Sequence, residues 1–138
     1  NEKASGVFYG LSHSHNKYEI LRSIYEGVVL SIIDCYSSLN KKINKLYLAG
    51  GGSNSKLWSQ MISDALNLKV LIPEGEEFGA KGAAIITLKT IKNIDIKSEK
   101  NNKLKIKKIF SPHYKNHTKY KEIYFKYKIL SRKLYSNV

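Results

Sequence analysis

The sequence predicts an α/β domain with few parallel strands and flanking helices. Three observations lead there. Two short apolar runs, Leu46–Ala49 and Lys69–Ile72, have the length of strands, and the second stops at Pro73, which cannot donate to a sheet ladder. Stretches of helical period stand before, between and after these runs. A helical connection between neighbouring strands implies parallel pairing through a right-handed crossover. Two or three strands make a poor sheet by themselves, so further strands or another sheet are expected to complete this one.

Residues 1–15 read as a loop in which Gly6-Val-Phe-Tyr-Gly10 is a short extended piece packed on a core. His13 and His15 alternate with serines and have no third ligand nearby, so they read as loop histidines. Asn16 opens the first helix, and Glu19 three residues on completes a capping-box pair. Ile20, Ile24, Val28 and Ile32 form one stripe, which Leu21, Val29 and Ile33 widen into a face fit to be buried against a sheet. Arg22 and Glu26 are spaced to pair. Gly27 costs about 1 kcal/mol relative to Ala in mid-helix, which predicts another backbone close by. The helix is expected to end near Leu39. Cys35, the only cysteine, reads as a buried, inert thiol.

The stretch Leu46-Tyr-Leu-Ala-Gly-Gly-Gly-Ser-Asn-Ser-Lys-Leu-Trp58 runs from a strand through three glycines into a helix. Gly50, Gly51 and Gly52 adopt unusual φ angles cheaply and leave bare backbone. Ser53, Asn54 and Ser55 are all good N-cap residues. A helix opening beside such a turn offers free N–H groups and the positive end of its dipole, a nucleotide-binding geometry in outline. The same residues also fit a tight turn with no ligand. Gly50-x-Gly52, with Glu74 after the next strand, superficially fits a dinucleotide fingerprint, but Ser55 stands at its third glycine position.

The helix after the glycines runs to about Asn67, with Leu57, Met61, Ala65 and Leu68 on one stripe and Trp58, Ile62 and Leu66 on another. An acidic loop, Glu74–Glu77, precedes a third helix from about Phe78 to Lys92. Gly79, Ala80, Gly82, Ala83 and Ala84 give that helix a face small enough to press against a neighbour or a flat ligand. Residues 93–111 read as a basic linker in which Leu104, Ile106 and Ile109 fit an edge strand or an extended crossing. A last helix is expected from Thr118, with Tyr120, Ile123, Tyr124, Tyr127, Leu130 and Leu134 on one face. His113 and His117 flank its start without an evident carboxylate partner and read as exposed.

Size and charge bound the function. A chain of 138 residues with 42% hydrophobic residues can bury a core as one domain. No apolar run is long enough to span a bilayer and the N-terminus lacks a signal pattern, so a cytoplasmic protein without a membrane partner is expected. The net charge of +13 is uneven: residues 1–88 carry nine Lys/Arg and eight Asp/Glu, and residues 89–138 carry fifteen and three. Of the 24 basic residues only Arg22 and Arg132 are arginine, the type favoured for reading phosphates and bases. The tail therefore reads as a solvated surface, and a nucleic-acid-binding module is a lesser alternative, as is the dinucleotide module.

Four segments carry a resemblance. Gly6-Val-Phe-Tyr-Gly-Leu11, Arg22-Ser-Ile-Tyr-Glu-Gly27, Gly50-Gly-Gly-Ser-Asn-Ser-Lys-Leu-Trp-Ser-Gln60 with Asp64, and Glu77-Phe-Gly-Ala-Lys-Gly-Ala-Ala84 resemble, in order and spacing, successive motifs of the FGGY carbohydrate kinases, in their xylulokinase and L-xylulose kinase branch. The resemblance implies part of an actin-like ATPase fold built from ribonuclease-H-like domains, with this chain as the later part of the second domain. Its α/β core would be residues 6–92, followed by the basic linker 93–111 and a helical tail 112–138. It implies ATP and Mg2+, with the metal ligands outside this chain. Gly50, Gly51, Gly52 and Ser53 would lie along the nucleotide, Ser55 would reach the adenine or ribose, and Gly79, Gly82 and Ala83 would support the site from behind. The implied partners are ATP or ADP, the rest of a kinase chain, and a pentulose or related sugar bound mainly by an N-terminal domain. Self-association is a further expectation. The family's catalytic aspartate comes from a Gly-Asp motif upstream of the segment matching Gly6. Asp34, Asp64 and Asp95 do not sit in such a motif, so no catalytic residue is assigned and the chain alone is expected to be inactive.

Overall fold

A computed structural model describes residues 5–39, 41–75, 77–92 and 104–135. The elements are α1 (Lys17–Ser37), β1 (Lys45–Tyr47), a 3-10 turn (Gly51–Asn54), α2 (Lys56–Leu66), β2 (Lys69–Pro73), α3 (Phe78–Lys92), β3 (Ile106–Phe110) and α4 (Tyr114–Tyr135). The expected order of helices and strands is therefore observed. The strands lie in the order β1-β2-β3. β1 pairs parallel to β2, with Leu46 opposite Val70, while β3 is an antiparallel edge strand with Phe110 opposite Val70. The second half of the basic stretch 93–111 thus supplies a strand, while residues 93–103, including Asp95, lie outside the described residues, as does Glu76 of the acidic loop.

The capping box at α1 forms as expected: the Asn16 side chain accepts from the N–H groups of Tyr18 and Glu19, and Glu19 accepts from the Asn16 N–H at 2.8 Å. Arg22 donates to Glu26 at 2.8 Å. The broad apolar face of α1 is only partly used. Val29 and Leu30 are buried, whereas Leu21, Ile24 and Val28 remain exposed. Two expectations on this helix are corrected. Cys35 is exposed because it follows Leu21 and Val28 at seven-residue spacing, on the side of α1 that the described residues leave uncovered. A Cβ on Gly27 would meet nothing within 4 Å, because that face opens onto a groove between α1, α4 and residues 5–11 instead of against another backbone.

Packing centres on α2, which touches α1, α4, β2 and β3. Met61, Ile62, Ala65 and Leu66 from α2, with Val29, Leu68, Val70, Ile72, Phe110 and Tyr120, form one buried cluster. The helix ends at Asn67 in the left-handed conformation with φ 54°, tolerated by Asn far better than by branched residues. The sheet alternates as a strand facing one core must: Val70 and Ile72 point inward, while Lys69 points out.

Candidate functional site

The turn Gly50–Ser55 stands at the C-terminal end of β1, beside the parallel strand β2, where α/β sheets commonly place ligands. The Leu48 N–H still donates to the Leu71 carbonyl at 3.0 Å, so the ladder runs almost to the glycines. The turn is then closed from within. Both the N–H and the Oγ of Ser53 donate to the Gly50 carbonyl, at 3.0 and 2.7 Å. The Ser55 N–H donates to the Gly52 carbonyl at 3.2 Å. Of the three capping candidates it is Ser55 that caps α2, its Oγ accepting from the Trp58 N–H at 3.2 Å. Ser59, wholly buried, donates from its Oγ to the Ser53 carbonyl at 3.4 Å.

The three glycines differ in kind. Gly50 has φ 88°, a conformation that L side chains rarely adopt. Gly52 has no room for a side chain: its Cβ would lie 2.8 Å from Cε3 of Trp58, inside the ring's contact distance. Gly51 has neither constraint, since a Cβ there would meet nothing within 4 Å. Trp58 in turn meets Tyr25 of α1 edge-on, with centroids 6.1 Å apart at 64°. Its Nε1 is buried without a hydrogen-bond partner among the described residues.

The small-residue face of α3 is open. Gly79 and Ala83 are exposed and Gly82 is half-buried, and a Cβ on either glycine would meet nothing within 4 Å. The described contacts thus bring together Gly50, Gly51, Gly52, Ser53 and Ser55 but not Gly79, Gly82 or Ala83.

A second polar cluster lies on the other side of α2 and was not legible in the sequence. The Asp64 carboxylate is buried, yet it accepts from the His113 N–H at 2.8 Å, Asn116 Nδ2 at 2.8 Å and Gln60 Nε2 at 2.7 Å. Gln60 Nε2 spends its other hydrogen on the Ser111 carbonyl at 2.9 Å, so the nearby Nδ1 of His113 acts as donor to Asp64, at 3.1 Å. His117 Nδ1 faces only acceptors, the carbonyls of Asp64 and Ala65 at 3.1 and 3.2 Å, and donates to the last turn of α2. The two helices therefore cap each other, Asp64 the start of α4 and His117 the end of α2. Burial alone would push the Asp64 carboxyl up, but the hydrogen bonds from Asn116, His113 and Gln60 prevail and hold it below its ordinary value. This corrects the expectation that both histidines lack a carboxylate partner, and that His117 is exposed. It also explains why α4 starts at Tyr114 and not Thr118: the first turn is held by a residue 49 positions away.

The C-terminal domain of the FGGY family of carbohydrate kinases matches residues 1–90. A probable L-xylulose kinase from Haemophilus influenzae is 29% identical over 123 residues, 87% of this chain and 25% of that protein. The L-xylulose/3-keto-L-gulonate kinase of Escherichia coli is 36% identical over 87 residues, 61% of this chain and 17% of that protein. Among solved structures, a xyloylose kinase from Brucella ovis superposes with a TM-score of 0.87 at 28% identity, over 99% of this chain and 29% of that one. A glycerol kinase from Plasmodium falciparum with ADP shares the fold at a TM-score of 0.70 and 22% identity, over 88% of this chain and 25% of that one. The chain spans about a quarter of the length of the first of these curated relatives. Its few strands and flanking helices are thus a part of the actin-like ATPase fold of sugar kinases, and the dinucleotide and nucleic-acid alternatives are not favoured. The match over residues 1–90, together with the strand, glycine turn and helix described above, shows that this chain belongs to the FGGY family of carbohydrate kinases.

Proposed function

We propose that the chain is the nucleotide-side portion of a larger ATP-dependent carbohydrate kinase, and that adenine nucleotide meets it at Gly50–Ser55. The observation that carries this reading is Gly51. Gly50 is explained by its φ angle and Gly52 by the Trp58 ring, but the fold gives no reason for glycine at 51. Bare backbone kept facing open space at a strand end suits a flat ligand lying against it. Ser55 uses a lone pair on the Trp58 N–H, which leaves its O–H free to donate to a base or ribose. Ser53 has spent its O–H on Gly50 and contributes backbone and lone pairs instead.

Phosphoryl transfer rests on positioning and charge stabilisation. The residues here bind and orient; Asp64 is committed to α4 and is no general base. Among the described residues no three His, Cys, Asp or Glu side chains come together as a cation site. In this reading the base and the Mg2+ ligands belong to the rest of a longer cytoplasmic chain, and this portion transfers no phosphoryl group alone. The relatives' names point to a pentulose or related sugar as the acceptor. Residues 6–92 form the nucleotide-side core in this reading, with 112–138 as the helical tail. The open face of Gly79, Gly82 and Ala83 closes behind the turn in the complete domain.

The test is an amide NMR titration with ADP and, separately, NAD. Weak binding by ADP, with shifts centred on Gly50–Ser55, is expected, and Gly51→Val should abolish them while circular dichroism stays native. Shifts that survive Gly51→Val, or that NAD elicits at lower concentration than ADP, refute the assignment.

A further inference from the structure

We propose that Trp58 is the positioning residue of this turn, setting the height of the Gly50–Ser53 backbone through Gly52 and tying it to α1 through Tyr25. The inference rests on reading the turn as the nucleotide site. Trp58 is not a ligand contact. Its ring occupies the space that a Gly52 side chain would fill, with Cε3 at 2.8 Å and Cη2 at 3.3 Å from that Cβ position. Its own N–H is anchored to Ser55, the last residue of the turn. On the far side the ring meets Tyr25 edge-on at 6.1 Å, so one rigid plane spans from the glycines to α1. The neighbouring Ser59 is wholly buried and holds the Ser53 carbonyl. Two consecutive side chains thus hold the turn, one beneath Gly52 and one on Ser53.

The choice of side chain supports this role over simple packing. A buried indole normally finds a partner for its N–H. Here Nε1 is buried and unpartnered among the described residues, a donor that Phe or Leu would not bury. What the indole adds over those residues is reach, and the reach is used at both ends.

Trp58 is the only tryptophan, so its emission reports on the turn without labelling. Titration of the chain with ADP should shift Trp58 fluorescence. Trp58→Leu and Gly52→Ala, both followed by amide NMR shifts because the first removes the fluorophore, should each raise the ADP Kd by about tenfold or more, as small misplacements of binding groups do. The double variant Gly52→Ala/Trp58→Leu should bind better than Gly52→Ala alone, since the ring that excludes the methyl is gone. Packing without positioning lowers the urea midpoint but leaves the Kd of the folded fraction unchanged. Where Trp58→Leu fails to fold, Trp58→Phe keeps a shorter plane and should show a smaller loss. An ADP Kd unchanged in a folded Trp58 variant overturns this inference alone. Failure of the wild-type chain to bind ADP at all overturns the nucleotide reading and this one with it.

Discussion

Replacing Asp64 by Ala should loosen α4 from the rest of the chain. The carboxylate accepts from the His113 N–H, Asn116 Nδ2 and Gln60 Nε2 at 2.7–2.8 Å, and from His113 Nδ1 at 3.1 Å. Hydrogen bonds to a charged group contribute about 1.5–3 kcal/mol each when buried. The His113 ring is 65% exposed, so its share is screened and small, and Gln60 finds water or keeps Ser111 after the change. That leaves the His113 N–H and Asn116, with the loss of a helix cap, at about 3 kcal/mol in all. For a chain of this size the melting temperature should fall by about 10 °C. Asp64→Asn isolates the charge: Asn116 can turn its amide to match, so the loss should be about 1 kcal/mol, from the helix dipole and charge-assisted bonding. The pH dependence has a definite sign. The folded-state pKa of Asp64 is depressed, so its contribution is fully present above the unfolded carboxylate value, near about 3.9, and fades as pH falls through the lower folded value. The assay is urea unfolding followed by circular dichroism at neutral and strongly acidic pH. Equal stability of wild type and Asp64→Ala at neutral pH would refute the reciprocal cap. So would a difference that grows on acidification.

The glycines of the turn should separate by stability: Gly50→Ala should cost about 1–3 kcal/mol through its φ of 88° and ψ of −179°, Gly52→Ala about 1–3 kcal/mol through the Trp58 clash, and Gly51→Ala less than about 0.5 kcal/mol. Equal losses in urea titrations would remove the distinction on which the site rests. The groove of about 940 Å3 between residues 5–11, α1 and α4, edged by Phe8, Ile24 and Leu134, should bind hydrophobic dye and promote self-association at high concentration. A dye-silent monomer in sedimentation would count against it. Cys35, being exposed, should react with a thiol reagent in the native state as fast as in urea. The lysines of β3 and α4 should give only salt-sensitive binding to oligonucleotides of any sequence, so sequence-selective binding at physiological salt would overturn their reading as a solvated surface.

The sequence by itself determined whatever is governed by neighbours along the chain. Asn16 and Glu19 set the start of α1 and Pro73 the end of β2, because caps and breakers act within a turn or two of backbone, whereas among Ser53, Asn54 and Ser55 the fold chose Ser55 as the cap of α2. The parallel pairing of β1 with β2 followed from the helix between them, though not its register. Four motifs in order carried the family. Only the tertiary structure decided the roles that depend on distant partners. Asp64 lies on a helix face and His113 in a loop, and no periodicity links residues 49 apart, so their contact and the early start of α4 were invisible. The same holds for Cys35 and Gly27, whose exposure depends on what α1 packs against and not on its own period. The three glycines look identical in sequence. Only the φ of Gly50 and the ring beneath Gly52 single out Gly51 as the one the fold leaves unexplained, because backbone strain and steric exclusion are properties of a folded neighbourhood.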